Sequence, residues 1–306
     1  MGAAGVAAVA EALAQSSSLT RLAFSDNLIG AQGAIAIAEG IKKSASLAEL
    51  DLGYNRIEAK GAIAIAEAIR RSSSLTTVKL KFNSIGAEGA IAIAEAIKQS
   101  KSPLTAVDLG HNGIGARGEV AIAEAIKQSK SLASVKLQHN SIGDKGAVAI
   151  ADSIMRSNSL TAVNLSYNDI SGIGLVAISE AIILTKNKLQ ALDFSGNAIG
   201  LATVIIKSAH LTTVMLNRCS IGTAGAVVIA EAIKQSSSPL ATVDMGYNEI
   251  GEVGVVAIAE TIKQSVNMTC IGLNETTIAK LGVLAIAEAI KQSKSLATVF
   301  FEPLRH

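Results

Sequence analysis

One short segment recurs eleven times along this chain. A leucine-type residue opens an L-x-x-L-x-L run at Leu19, Leu47, Leu75, Leu104, Leu132, Leu160, Leu189, Leu211, Leu240, Met268 and Leu296. The spacings are 28, 28, 29, 28, 28, 29, 22, 29, 28 and 28 residues. A fixed period of this length predicts a solenoid, because one unit is too small to bury its own apolar face and must stack on its neighbours. The 306 residues therefore read as one solenoid, 1–306, and not as two or three ordinary domains.

Each unit reads L-x-x-L-x-L-x-x-N-x-I-G-x-x-G-A-x-A-I-A-E-A-I-K-Q-S-x-S. The L-x-L part alternates with period two, as a strand with one buried face does. Its buried pairs would be Leu50/Leu52, Val78/Leu80, Val107/Leu109, Val135/Leu137 and Val163/Leu165. The GAIAIAEAIKQS part has helical periodicity, with Ala62, Ile65, Ala66 and Ile69 on one face and Glu67 and Arg70 outside it. Ile63 and its counterparts Ile35, Ile91, Val120, Val148, Val176, Val227 and Leu284 lie beside that face. Packing against the small alanine of the neighbouring helix is expected there. The alternative is an apolar lateral stripe that self-associates.

These residues resemble the leucine-rich repeat, in the long subtype of ribonuclease inhibitor, NOD-like receptor C-terminal regions and Ran GTPase-activating protein. The resemblance covers essentially the whole chain. It implies an α/β leucine-rich-repeat solenoid, a horseshoe of about eleven repeats of 28–29 residues with a concave parallel β-sheet and convex outer α-helices. Packing distances demand the same curvature, since parallel strands stack at about 4.8 Å and packed helices at about 8 Å or more. One repeat, 189–210, is short. Its helix is cut by more than a turn, by drift or as a kink that fits a partner. The chain begins in the helix half of a repeat and ends in a strand segment, with no polar cap. Such ends are expected of a fragment of a longer protein, or of a chain that self-associates through them.

Bulk composition excludes several function classes. The net charge of +2 gives no basis for a nucleic-acid partner. Mean hydropathy is high at +0.42, yet every apolar run meets a Glu or Lys before the ~18–20 residues a membrane span needs. The N-terminus has no basic region of a signal peptide, and Val6 replaces the Ser/Thr that favours myristoylation. Two cysteines, Cys219 and Cys270, fall in different slots of repeats that are not neighbours, so no disulfide is expected. A cytoplasmic location follows as the expectation, with delivery into a host cell as an effector as the alternative. There is no P-loop, HExxH, GxSxG or CxxC. The glycines of GIGARG (113–118) belong to the joint before a helix. No catalytic residue, enzyme activity or cofactor is expected.

Three slots carry polar character. Eight residues after the first leucine stand Asn27, Asn55, Asn83, Asn112, Asn140, Asn168, Asn197, Cys219 and Asn248. Nine copies suit a turn and not a catalyst, because an Asn can pair the backbone groups freed where the chain leaves a strand. The resemblance implies the same, an asparagine ladder in which Cys is the usual substitute. One slot earlier stand Asp26, Tyr54, Phe82, His111, His139, Tyr167, Gly196, Arg218 and Tyr247, with all three tyrosines of the chain. Such residues suit an interface, and equally a ring covering the neighbouring turn. Four after the first leucine, Asp51, Lys79, Asp108 and Lys136 alternate in sign, ahead of Asn164. They read as a laterally paired polar floor or as a docking surface. His111 and His139 lack a third ligand, so no metal is expected. Glu39, Glu67, Glu95 and their counterparts read as a solvated helix face.

The resulting expectation is a non-enzymatic interaction protein that binds a protein partner on its concave face and strand C-terminal edge. The binding residues would be Asp51, Tyr54, Lys79, Lys81, Phe82, Asp108, His111, Lys136, His139, Asn164, Tyr167, Arg218 and Tyr247. Two other readings stand beside it. One is a GTPase activator of the Ran type, although the acidic C-terminal segment typical of that family is missing. The other is a pathogen effector or the ligand-sensing region of a NOD-like receptor.

Overall fold

A computed structural model of the chain describes residues 3–184, 188–197, 210–235, 239–274, 276 and 278–301. They fall in two compact units, Met1–Val163 and Asn164–His306. The first unit alternates helix and strand: α1 (Ala3–Gln15), β1 (Arg21–Ala23), α2 (Gly30–Lys43), β2 (Glu49–Asp51), α3 (Glu58–Arg71), β3 (Thr77–Lys79), α4 (Gly86–Gln99), β4 (Ala106–Asp108), α5 (Gly115–Gln128), β5 (Ser134–Lys136) and α6 (Gly143–Arg156). Strand β6 (Ala162–Asn164) spans the boundary. The second unit continues with α7 (Gly172–Leu184), β7 (Ala191–Asp193), β8 (Thr213–Met215), α8 (Gly222–Gln235), β9 (Thr242–Asp244), α9 (Gly251–Gln264), β10 (Cys270–Gly272), α10 (Lys280–Gln292) and β11 (Thr298–Phe300). Most of the short repeat, 198–209, lies outside the described residues.

In the first unit β1 to β5 pair in parallel, each with the next, in a register that sets equal slots side by side: Leu50↔Val78, Val78↔Val107, Val107↔Val135. In the second, β7 to β11 do the same. Every strand except β11, whose Val299 stays half-buried, buries its middle residue. Leu50, Leu52, Val78, Leu80, Leu109 and Leu137 are all fully buried, as the alternation predicts. The chain is an α/β solenoid of stacked coils, with strands on one side of each unit, helices on the other, and the apolar core between them.

Helix packing depends on one glycine per helix. A Cβ on Gly61 would lie 2.9 Å from the Cβ of Ala34, one on Gly89 2.9 Å from that of Ala62, and one on Gly118 2.9 Å from that of Ala90. The alanine of each helix thus sits in a notch on the next. Because the notch carries that contact, the neighbouring Ile63 slot stays at the rim. Ile63 is 47% exposed, Val120 57% and Val148 49%, so the expected packing of this slot against neighbouring alanines is only partial. The outer faces carry i,i+3 ion pairs such as Arg70–Glu67 at 2.7 Å and Lys42–Glu39 at 2.6 Å, solvated as expected and worth a few tenths of a kcal/mol each.

The S-x-S ending of each helix is the opposite corner of the coil. The first serine breaks the helix in extended backbone, and its Oγ accepts the N–H of the leucine three residues on, as in Leu75→Ser72 at 3.2 Å and Leu160→Ser157 at 3.2 Å. The second serine donates to the previous coil, Ser74 to the Leu47 carbonyl at 2.7 Å and Ser131 to the Leu104 carbonyl at 2.9 Å. The consensus shows these serines by recurrence alone, and only the structure shows what they bond.

Candidate interaction edge

At the C-terminal end of each strand the backbone makes a tight left-handed turn. The slot before the ladder has φ near +55° throughout: Asp26 60°, Tyr54 59°, Phe82 57°, His111 56°, His139 54°, Tyr167 53°, Arg218 55° and Tyr247 55°, with Gly196 at 70°. Left-handed backbone costs a non-glycine residue about 1–2 kcal/mol, so the turn is held by something else, and the ladder asparagine holds it. Asn83 Nδ2 donates to the carbonyls of Leu52 (2.8 Å), Leu80 (2.9 Å) and Lys81 (3.2 Å). Its Oδ1 accepts the N–H groups of Asn55 (3.0 Å) and Ile57 (3.3 Å). Two backbone N–H groups converging in alternating-handed chain form a nest for an oxygen, and each nest is filled by the amide of the next coil. Asn27, Asn55, Asn83 and Asn112 repeat this pattern, as does Asn168 with Asn197.

Cys219 does half of that work. Its thiol lies 3.4 Å from both the Phe194 and Asn217 carbonyls, in the place of the amide donor. It supplies no oxygen to the coil before it, and the Asn197 N–H turns instead to the Phe194 carbonyl at 3.3 Å. Burial pushes the thiol up to about 12, so it is inert.

The side chains of the left-handed slot stack on one another. In the first unit Tyr54, Phe82, His111 and His139 form a continuous ladder, with ring centroids 4.2, 3.7 and 3.9 Å apart and planes within 13–21°. Coils repeat at about the strand spacing of 4.8 Å, close to a stacking distance, which is why planar residues suit this slot. The ring faces cover each other and the edges face outward, with Tyr54 41% and Phe82 36% exposed. The Lys81 Nζ lies 5.4 Å from the Tyr54 centroid. In the second unit Tyr167 fills the space over Gly196, where a Cβ would lie 2.3 Å from the ring, and Arg218 lies over Tyr247 at 3.9 Å.

Burial, then His139 and Lys81, push His111 down to about 4. A histidine whose pKa is lower folded than unfolded supports the fold above its ordinary 6.5, and that support is lost as pH falls from 6.5 towards 4. Thermal unfolding of the wild type is therefore expected to drop between pH 7 and pH 4.5 by more than that of His111→Phe, which keeps the stack and cannot titrate. Equal drops in the two proteins would refute this.

The charged row is in register as expected, with Asp51↔Lys79, Lys79↔Asp108 and Asp108↔Lys136, but these groups do not pair laterally. Lys79 reaches Glu49 at 2.6 Å, and Arg21 shares that carboxylate at 3.4 Å. The aspartates are turned to the backbone two residues on: Asp51 accepts the Gly53 N–H at 3.0 Å and Asp108 the Gly110 N–H at 3.0 Å. Asn164, Asp193 and Asp244 do the same for residues 166, 195 and 246. A short carboxylate one residue before the strand exit lies nearer that N–H than a neighbouring lysine, whereas the longer Glu49 can reach across. In the second unit the other carboxylate oxygen is engaged laterally, Asp193 Oδ2 accepting from Asn164 Nδ2 at 2.8 Å and Asp244 Oδ2 from Asn217 Nδ2 at 3.0 Å.

Sequence reasoning missed Glu119. In α5 it holds the notch slot that is Ala34, Ala62, Ala90 and Ala147 in other first-unit helices. It is fully buried, neither carboxyl oxygen has a hydrogen-bond partner, and one lies 2.5 Å from where a Gly146 Cβ would be. Burial pushes this carboxyl up to about 8. The signal was present, since GEV stands at 118–120 where GAI or GAV stands elsewhere.

Among the described residues, no helix is long and apolar enough to cross a membrane. A leucine-rich repeat family model matches residues 15–38, 43–66, 71–94, 100–123, 128–151, 156–179, 185–202, 207–230 and 236–259. The chain is similar in structure to the leucine-rich repeat-containing protein LegL7 from Legionella pneumophila, with a TM-score of 0.55 at 14% identity over 95% of this chain and 85% of that one. Leiomodin-1 actin-binding site 2 matches 48% of this chain and 86% of its own, at a TM-score of 0.43 and 19% identity. Comparison with curated proteins finds no match.

Proposed function

We propose that this chain, which belongs to the leucine-rich repeat family, is a non-enzymatic scaffold or sensor gripping a protein partner along the strand face and ring edge of its first unit. The observation that carries the reading is the ladder of Tyr54, Phe82, His111 and His139. Stacking fixes four planar side chains in advance, so little rotamer entropy is lost when a partner docks. Stacked coils also present an extended surface of the kind repeat proteins use for binding. Lys79, Lys81, Lys136, Asp51 and Asp108 would set orientation and reject wrong partners by charge. In the second unit Tyr167, Arg218 and Tyr247 occupy the equivalent slot.

Affinity capture with the wild-type chain, followed by calorimetric titration of the purified partner, tests this reading. Tyr54→Ala combined with Phe82→Ala is expected to weaken binding by at least about tenfold with the fold intact by circular dichroism. Unchanged affinity in the double variant would remove the edge from the binding surface.

A further inference from the structure

The asparagine ladder ends in the second unit, and a cleft lies beside its last member. Asn248 is the last member, and Thr276 holds the slot in the following coil. The Thr276 hydroxyl donates to the Leu273 carbonyl at 2.8 Å. With no amide oxygen arriving from that coil, the turn after Asn248 closes on itself, and the Ile250 N–H donates to the Asn248 carbonyl at 2.7 Å. Glu249 is accordingly not left-handed, whereas its counterparts Arg56, Ser84, Ser141, Asp169 and Ser220 have φ of 53–57°. In the first three coils the equivalent carbonyl accepts the N–H that opens the preceding helix, as in Gly30→Asn55 and Glu58→Asn83, both 3.0 Å. Here the Asn248 carbonyl accepts the Ile250 N–H, and Gly222 lines the cleft.

The cleft has a volume of about 410 Å³ and is lined by Arg218, Ser220, Gly222, Tyr247, Asn248 and Glu249. That is within the range of small-ligand sites, roughly 300–1,000 Å³. Its strongest recognition group is the Arg218 guanidinium, held over the Tyr247 ring at 3.9 Å. Among the described residues no carboxylate lies within 4.0 Å of it, and the exposed Ser220 hydroxyl makes no hydrogen bond. A planar cation fixed on an aromatic face, with its fork of donors uncommitted, matches an oxyanion. The serine hydroxyl and the Gly222 N–H add neutral donors on the same wall. Glu249 decides between oxyanions. With one cation and one anion around it, the cleft suits a singly charged group and penalises a doubly charged one.

We infer that this cleft is a carboxylate subsite that takes the side chain of an acidic residue on a partner protein, clamped by Arg218 with Ser220 and Gly222 as supporting donors. The first-unit ring edge plays no part in this inference, and the two stand or fall separately.

Sodium propionate, the side-chain analogue of glutamate, is the probe. It is titrated into the full 15N-labelled chain at constant ionic strength against sodium chloride, and inorganic phosphate is titrated in parallel. The Gly222 amide and Arg218 Nε–H resonances are expected to move saturably with propionate and not with chloride. Arg218→Gln is expected to weaken propionate binding by about tenfold or more. Arg218 is exposed, so unchanged resonances elsewhere will report an intact fold. Glu249→Gln is expected to bring phosphate binding up towards that of propionate. Equal shifts with chloride, an Arg218→Gln titration identical to wild type, or tighter binding of phosphate than of propionate by the wild-type chain would each overturn the assignment.

Discussion

Replacing Glu119 with alanine is expected to stabilise the first unit, and to do so more at pH 8 than at pH 5. The wild-type carboxyl is buried between α5 and Gly146 of α6 with no hydrogen-bond partner. Only its neutral form tolerates that site, and burial raises its pKa from 4.5 to about 8. A group whose pKa is higher folded than unfolded supports the fold fully below 4.5. Between 4.5 and 8 the unfolded chain has released the proton that the folded chain still holds, so each rise in pH favours unfolding. The slope can reach about 1.4 kcal/mol per pH unit. Alanine fits the notch as it does at Ala34, Ala62 and Ala90. The expected gain at pH 8 is on the order of 3 kcal/mol, well below the ideal integral because water and backbone relaxation soften buried charges. Urea unfolding of wild type, Glu119→Ala and Glu119→Gln at pH 5, 6.5 and 8 measures this. Glutamine keeps the size and loses the titration, so its stability should lack this part of the pH dependence. A wild-type dependence no steeper than that of either variant would sink the account.

Asn83→Leu is expected to be among the most damaging single changes in the first unit, costing about 3 kcal/mol or more. Leucine is close in size, so the loss is one of hydrogen bonding and not of volume. Three backbone carbonyls lose a donor and two N–H groups lose an acceptor, and buried groups left unpaired cost about 1–3 kcal/mol each before relaxation. Asn83→Cys should cost roughly half as much, because Cys219 keeps the donor function and abandons only the acceptor. Hydrogen exchange adds a directional readout. The groups that lose their acceptor are Asn55 and Ile57, one coil N-terminal to the mutation, so their amides should lose protection before those of the coil that carries it. Faster exchange confined to Asn83's own coil would contradict the assignment.

The repeat and its register were readable because a period of about 28 residues and an L-x-L alternation leave one stacking solution. The asparagine ladder was readable because a polar residue copied in eight of nine slots must answer a backbone need copied as often. Other features escaped for specific physical reasons. The Tyr54 slot looked like a choice between binding and packing, since sequence does not show that the slot is left-handed or that its residues are spaced for stacking. The structure makes the rings neighbours in one ladder whose edges remain exposed. The charge row misled because alternation of sign predicts lateral pairing, while a nearby backbone N–H competes better for a short carboxylate. Glu119 escaped because a repeat pattern gives weight only to residues that recur. It matters because it breaks the recurrence in a single coil.

The ring ladder also bears on how such a chain can change over generations. Each ring is contributed by one coil and satisfied by the coils on either side, so gaining or losing a whole coil lengthens or shortens the stack by one step and leaves no face bare inside it. The edge can therefore be resized by unequal crossing-over, without redesign of any single turn. A point substitution in the middle of the stack is less forgiving, because it strips a face from two neighbours at once. Descent is then expected to alter the reach of this surface more readily than its texture.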